Sequence, residues 1–295
     1  MKFGVREIAN VVFRAKSDVT IGNKLFKKGQ PVLYIDTAKT STLEGAATTV
    51  YAQGGRGNTR LIAWEGEKTL TFTVEDALLS PIGLSVLSGA GLIKGGDNQV
   101  HVHMTTMAYA DASGKIDLAD AMATADTICT DAPLFVMALE DGSLTGDISA
   151  SPSIEGKVIT ATDMLEKDVM VDYYVLKDAA KVSEIQIDAE NFAGYYYVEA
   201  DTLFRRQSDG VDLPANITLP NVKIQSNFTF SMASTGDPST FTFTMDAMPG
   251  YTYFDKKKKV LCVIQVVEDA EAADTVWSSV MDEEGYHENK EEKTV

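Results

Sequence analysis

The chain of 295 residues is long enough for two domains, or one elaborated β-domain, and buries an adequate core without disulfide staples. Its formal charge of −17 sets its surface against phosphate backbones and argues against nucleic-acid binding by charge attraction. No stretch approaches the roughly 18 apolar residues of a membrane span. Residues 1–13 lack the apolar centre of a secretion signal, so the expectation is a soluble protein, cytoplasmic when made, with no membrane partner. Cys129 and Cys262 lie far apart in apolar surroundings. They fit free thiols in a reducing compartment, with one long-range disulfide as the other possibility.

In chain order, strands are predicted at 10–14 and 30–35. The stretch 43–60 carries Gly45, Gly54, Gly55 and Gly57 with few large apolar residues, and it reads as a long loop. Long ordered loops often carry function. Strands follow at 61–64 and at 70–74, where Leu70, Phe72 and Val74 alternate with threonines. A helix is predicted over 74–87, with Glu75 and Asp76 in its first turn and Gly89 and Gly91 to end it. Pro81 should break it.

A strand at 100–104 comes next, then a change of character over 111–163. This segment is rich in small residues, holds Pro133 and Pro152, and has strand-like runs at 133–139 and 157–160, with a short helix predicted at 118–125. It reads as a small inserted β-rich module. Strands resume at 171–176, 184–187 and 194–204. Two Phe/Thr runs, 228–232 and 241–245, flank the turn residues Gly236, Asp237 and Pro238 and predict a β-hairpin. The apolar run 260–267 reads as a buried strand. The acidic, polar tail after residue 270 has little to bury and predicts a flexible arm, unless a neighbouring subunit holds it.

Candidate sites for chemistry each meet a plainer reading. His101 and His103 share one strand face, but two histidines without nearby carboxylates make a weak ligand set. Gly54, Gly55, Arg56, Gly57 and Asn58 superficially resemble a phosphate loop. They lack the Gly-Lys-Ser/Thr ending and the helix that must follow. No Gly-x-Ser-x-Gly elbow is present. The four lysines at 256–259 read as a solvated turn, with an intersubunit salt contact as the alternative. Tyr195, Tyr196 and Tyr197 cannot form one stacking platform, because neighbours on a strand face opposite ways. No catalytic residue, cofactor or metal site is predicted, and the chain is not expected to be an enzyme.

Several blocks together resemble another class of protein. They are 43–58 running into 61–66, the run TLTFTVEDALLS at 69–80 with 87–90 after it, 199–206, 220–230, and 235–240 with its following strand. This ensemble resembles the tail tube (major tail) proteins of contractile-tailed bacteriophages, over most of 1–110 and 171–267. The resemblance implies a mainly β fold: an antiparallel β-sandwich or partial barrel with one flanking helix. The β-domain would be split between 1–110 and 164–270, with the module 111–163 inserted and 271–295 as a C-terminal arm.

The resemblance also implies self-assembly. Subunits would join sheets into hexameric rings, rings would stack into a tube, and phage DNA would pass through the bore without specific binding. A sheath and baseplate or terminator proteins would be partners, and the location would be the virion tail. Unpaired strand edges in a β-rich chain fit such assembly. An acidic bore would let DNA slide. The expected subunit interface is Leu43, Tyr51, Gln53, Gly54, Gly55, Arg56, Gly57, Asn58 and Arg60. The expected lumen-facing residues are Thr229, Ser231, Thr242 and Thr244 on the hairpin. Two alternatives stay open: another virion structural protein of capsid-surface or decoration type, and a glycan- or receptor-binding module carried by the insert.

Overall fold

A computed structural model describes residues 2–5, 7–21, 24–94, 99–229, 234 and 240–268. The chain divides into two compact units, Met1–Gly91 with Ile185–Val295, and Leu92–Glu184. It is mainly β, with antiparallel pairing in every sheet whose register is defined. In order, the first unit contributes β1 (Phe3–Val5), β2 (Asn10–Ala15), β3 (Val19–Ile21), β4 (Lys24–Phe26), β5 (Pro31–Ile35), β6 (Ala38–Gly54), β7 (Thr59–Asp76) and α1 (Pro81–Ser88). Strand β8 (Gly91–Lys94) leads into the second unit, which holds β9 (Gln99–Tyr109), β10 (Lys115–Asp117), β11 (Thr127–Ile128), β12 (Phe135–Glu140), β13 (Ser143–Ile148), β14 (Ser153–Glu155), β15 (Val158–Thr160) and β16 (Asp168–Asp178). The chain returns through β17 (Ser183–Gln186) to β18 (Tyr195–Arg206), β19 (Asp212–Ile224), β20 (Phe241–Ala247) and β21 (Val263–Val266).

The first unit is built on a nine-stranded sheet in the order β5-β2-β18-β19-β20-β7-β6, with β1 on β18 and β21 on β19. Alternation sends Val11 and Phe13, Phe72 and Val74, and Phe243 and Met245 into one core, each essentially free of solvent. Phe13 stands at the centre, 5.9 Å from the Phe243 ring and 6.1 Å edge-on to Tyr196. Burying each such ring contributes about 1.5–3 kcal/mol. Ser80 caps α1, its side chain accepting from the Gly83 amide, and Gly89 closes the helix at φ 76.

The second unit packs a five-stranded sheet (β11-β16-β12-β13, with β9 on β16) and a three-stranded sheet (β10-β15-β14) around Val136, Val171, Tyr173, Ile116 and Ile159. Its boundaries, Leu92–Glu184, are wider than the 111–163 read from composition. The reason is β9, which pairs with β16 along its whole length, from Gln99↔Asp178 to Tyr109↔Asp168. A strand assigned to the main domain thus belongs to this unit. The runs 133–139 and 157–160 are both strands, but they lie in different sheets.

Several expectations need correction. The helix is Pro81–Ser88, not 74–87, since 74–76 end β7. Pro81 starts the helix and does not break it; at the first turn its missing N–H has no helical partner to lose. The helix expected at 118–125 is a single 3-10 turn, Ala119–Ala121. The run 260–267 is not a buried strand: among the described residues β21 pairs with β19 alone, and Ile264 and Gln265 are exposed. The predicted hairpin 228–232/241–245 falls partly outside the described residues. Residues 228–229 are not strand, residues 230–232 lie outside the described residues, and β20 pairs with β7 and with 222–224 of β19. The tail 271–295 also lies outside the described residues.

Candidate assembly interface

The stretch expected to be a loop is a long β-hairpin. Strands β6 and β7 stay paired from Ala38↔Asp76 to Gly54↔Thr59, with register shifts at 38/40, 47/49 and 52/53. Its root belongs to the sheet: β7 pairs with β20 from Asp76↔Phe241 to Thr71↔Asp246, and Leu43 lies half-buried opposite Phe72. Beyond Gly45↔Leu70 the hairpin has no other strand beside it among the described residues, and it extends roughly 30 Å as a two-stranded arm.

The local chemistry explains the arm's shape. Gly55, Gly57 and Asn58 have φ of 79, 88 and 48, which the turn requires. The Asn58 amide donates to the Gly55 carbonyl at 3.2 Å, and the Asn58 side chain donates to Gln53 Oε1 at 3.3 Å. The Arg60 guanidinium lies 4.1 Å over the Tyr51 ring. At the irregularity near Thr48, its hydroxyl accepts from the Glu67 amide at 2.9 Å. Gly66 fits there because a Cβ would meet that hydroxyl at 2.5 Å.

What the arm displays is unusual for a solvated ribbon. Val50 pairs with Trp64 and Ala52 with Ile62 on one face, while Tyr51, Ala63 and Leu61 share the other. Trp64 is 53 % exposed and Leu61 65 %. Charges on 43–70 balance, with Glu44, Glu65 and Glu67 against Arg56, Arg60 and Lys68, in a chain of net −17. A neutral, apolar, two-sided ribbon has the composition of a contact surface. Tyr51, Gln53, Gly54, Gly55, Arg56, Gly57, Asn58 and Arg60 lie at its outer end and Leu43 at its root. Sequence reading missed Val50, Leu61, Ile62 and Trp64 as contact candidates; the signal was an apolar run outside any alternating pattern.

On β20, Thr242 and Thr244 share the face opposite the buried Phe243 and Met245. They line a shallow groove of about 310 Å³ with Thr229 and Asn227. Ser231 lies outside the described residues.

His103 Nε2 lies 2.9 Å from Asp172 Oδ1, and its ring is 5.3 Å from Tyr174. Lys256 and Lys259 sit over the rings of Tyr253 and Tyr251. A cleft of about 580 Å³ is lined by Arg205 and Arg206, each ion-paired, to Asp212 and Asp209. Both cysteines are free, and burial pushes the Cys262 thiol up to about 11. Among the described residues no group of three His, Cys, Asp or Glu side chains could hold a metal ion, and no helix is long and apolar enough to cross a membrane.

The split antiparallel sheet with its neutral projecting arm makes this a mainly β protein. A family model described as the YomU/Tube protein family matches residues 4–260, and the chain belongs to that family, a phage tube-like family of structural proteins. No curated protein matches the chain.

Proposed function

We propose that this chain is the non-enzymatic subunit of a phage tail tube. Copies join into hexameric rings, the rings stack, and the bore conducts DNA during ejection. The observation that carries this reading is the β6–β7 arm. A two-stranded ribbon is marginal in water by itself, and this one holds Val50, Leu61, Ile62 and Trp64 in solvent. Packing those side chains on a neighbouring subunit removes the apolar surface and orders the ribbon. The contact is heterologous, arm to another surface, and such contacts close into rings or continue as stacks.

In this reading Thr229, Thr242 and Thr244 line the bore, where hydroxyl groups and the acidic balance of the chain leave a DNA backbone nothing to bind. The outer surface meets a contractile sheath, and the ends of the tube meet baseplate or terminator proteins. Deleting 53–58 tests the central claim. The expected result is a folded monomer, with unchanged thermal melting of the sheet, that no longer assembles in negative-stain images where the intact chain forms rings or tubes. Normal tubes from the deletion would overturn the role of the arm. A charge map of the assembled ring with a basic bore would overturn the sliding argument.

A further inference from the structure

We infer that the second unit, Leu92–Glu184, supplies a separate lateral contact between copies of this chain, by joining the β9 edge of one copy to the β13 edge of the next. The inference rests on the tube reading for its setting, and on the sheet's register for its content.

The five-stranded sheet has two open edges. Among the described residues β9 pairs only with β16, and β13 only with β12. Strand β9 (QVHVHMTTMAY) contains no Asp, Glu, Lys, Arg or Pro, so it lacks the devices that keep edge strands apart. In a chain of net −17 an eleven-residue strand without a charged carboxylate is a place where two copies meet without repulsion. Strand β13 has one charge, Asp147, lying 3.8 Å from Lys167 of its own copy.

Register makes the two edges match. Following the paired residues across the sheet's solvent face gives two lateral rows. One runs Ile148–Met137–Met170–Met107, the other Leu144–Leu139–Asp168–Tyr109. Each row begins and ends on an exposed apolar side chain: Ile148 is 54 % and Met107 63 % exposed, Leu144 53 % and Tyr109 57 %. Moving the sheet sideways by its own width sets Met107 against Ile148, and Tyr109 against Leu144, of the next copy. Strand direction agrees. Each step from β13 to β12, β16 and β9 is antiparallel, so β13 runs antiparallel to β9. Copies in the same orientation therefore continue one antiparallel sheet, the arrangement a ring needs.

The contact is limited by design of the fold. Strand β13 bulges between Leu144 and Ile148, where Gly146 has φ 91, so its backbone offers short stretches and no flat ladder. An edge of six residues is only roughly 20 Å long, too short to bury the roughly 1,200–2,000 Å² of a free-standing complex. It acts within an assembly already held by other surfaces, and dilute chains do not pair through it.

Disulfide trapping on the full chain tests this. In a Cys262→Ser background, the pair Met107→Cys with Ile148→Cys, or Tyr109→Cys with Leu144→Cys, is introduced, the chain is assembled, oxidised, and quenched with N-ethylmaleimide. Within one copy the paired positions are three strand spacings apart, roughly 14 Å, too far for a disulfide. All four residues are exposed, and circular dichroism checks that each variant folds. The expected result is that most of the assembled chain moves into a ladder of dimers, trimers and longer species. Each variant with one introduced cysteine beside the buried Cys129, and the dilute double variants, should stay monomeric. Normal rings or tubes without a ladder overturn this inference alone. Covalent dimers from Met107→Cys by itself show β9 meeting β9 and also overturn it. Absence of rings or tubes from the unmodified chain overturns the tube reading, and this inference with it.

Discussion

Gly89 and Gly55 both have positive φ, and they serve different needs. At Gly89 (φ 76) a Cβ would meet the Phe192 backbone carbon at 2.3 Å and the Ala193 nitrogen at 2.6 Å. Neither atom can move without shifting the chain, so Gly89→Ala carries a backbone clash beyond the left-handed penalty of about 1–2 kcal/mol. At Gly55 (φ 79) a Cβ meets nothing within 4 Å, and Gly55→Ala carries the conformational penalty alone. Chemical denaturation should show the Gly89 variant losing clearly more stability, while the Gly55 loss stays confined to the arm. A residue-scale effect of pH is expected at Asp126. The Lys177 ammonium, 2.6 Å from its Oδ2, holds this carboxyl below its ordinary value. Folding therefore favours the carboxylate. Its stabilisation is complete above the unfolded value near ~3.9 and is lost as pH falls through the lower folded value. Thermal melts should be flat in this contribution from neutral pH down to about 5 and fall below about 4, and Asp126→Asn should flatten part of that fall.

Among the elements, the arm shows most clearly what a sequence can conceal. Strands were legible where one face is buried: Val11 and Phe13 in β2, Phe72 and Val74 in β7, and Phe243 and Met245 in β20 all alternate with polar neighbours. From 45 to 69 no face is buried in the isolated chain, so period-two alternation has nothing to enforce it, and glycines dominate the pattern. Strand β19 was missed for another reason. Pro214 and Pro220 argue against a central strand, yet Pro220 sits where register slips between Val198↔Leu219 and Tyr196↔Val222, and an irregularity accommodates the ring. The helix start was misplaced because Glu75 and Asp76 look like a first turn, whereas the cap is Ser80. Replacing Trp64 and Val50 by serine tests the arm as an element. Melting of the sheet should change by no more than about 0.5 kcal/mol, as for surface positions, while sedimentation shows loss of assembled material. Unchanged assembly would mean that the arm's apolar face is not its contact.

At the scale of the whole molecule, the composition anticipated a mainly β chain, while the compact units divide at residues 91/92 and 184/185. A boundary follows long-range pairing, and the β9–β16 register joins residues from 59 (Tyr109↔Asp168) to 79 (Gln99↔Asp178) apart in sequence, which no local pattern reports. Similarity over 4–260 places the chain in a tube-like family, and the arm within that span displays exposed apolar surface. The arm also has a mechanical consequence. Strand β7 runs unbroken from the turn at Gly55 into the sheet, where 71–76 pair with 241–246. A pull along the arm loads those six register pairs together, in shear, and none can be unzipped ahead of the others. Bending is resisted far less, because the ribbon has no second layer. The arm is therefore stiff in tension and compliant sideways. In the proposed assembly, a neighbour holding its outer end would tilt without drawing Phe72 and Val74 out of the core.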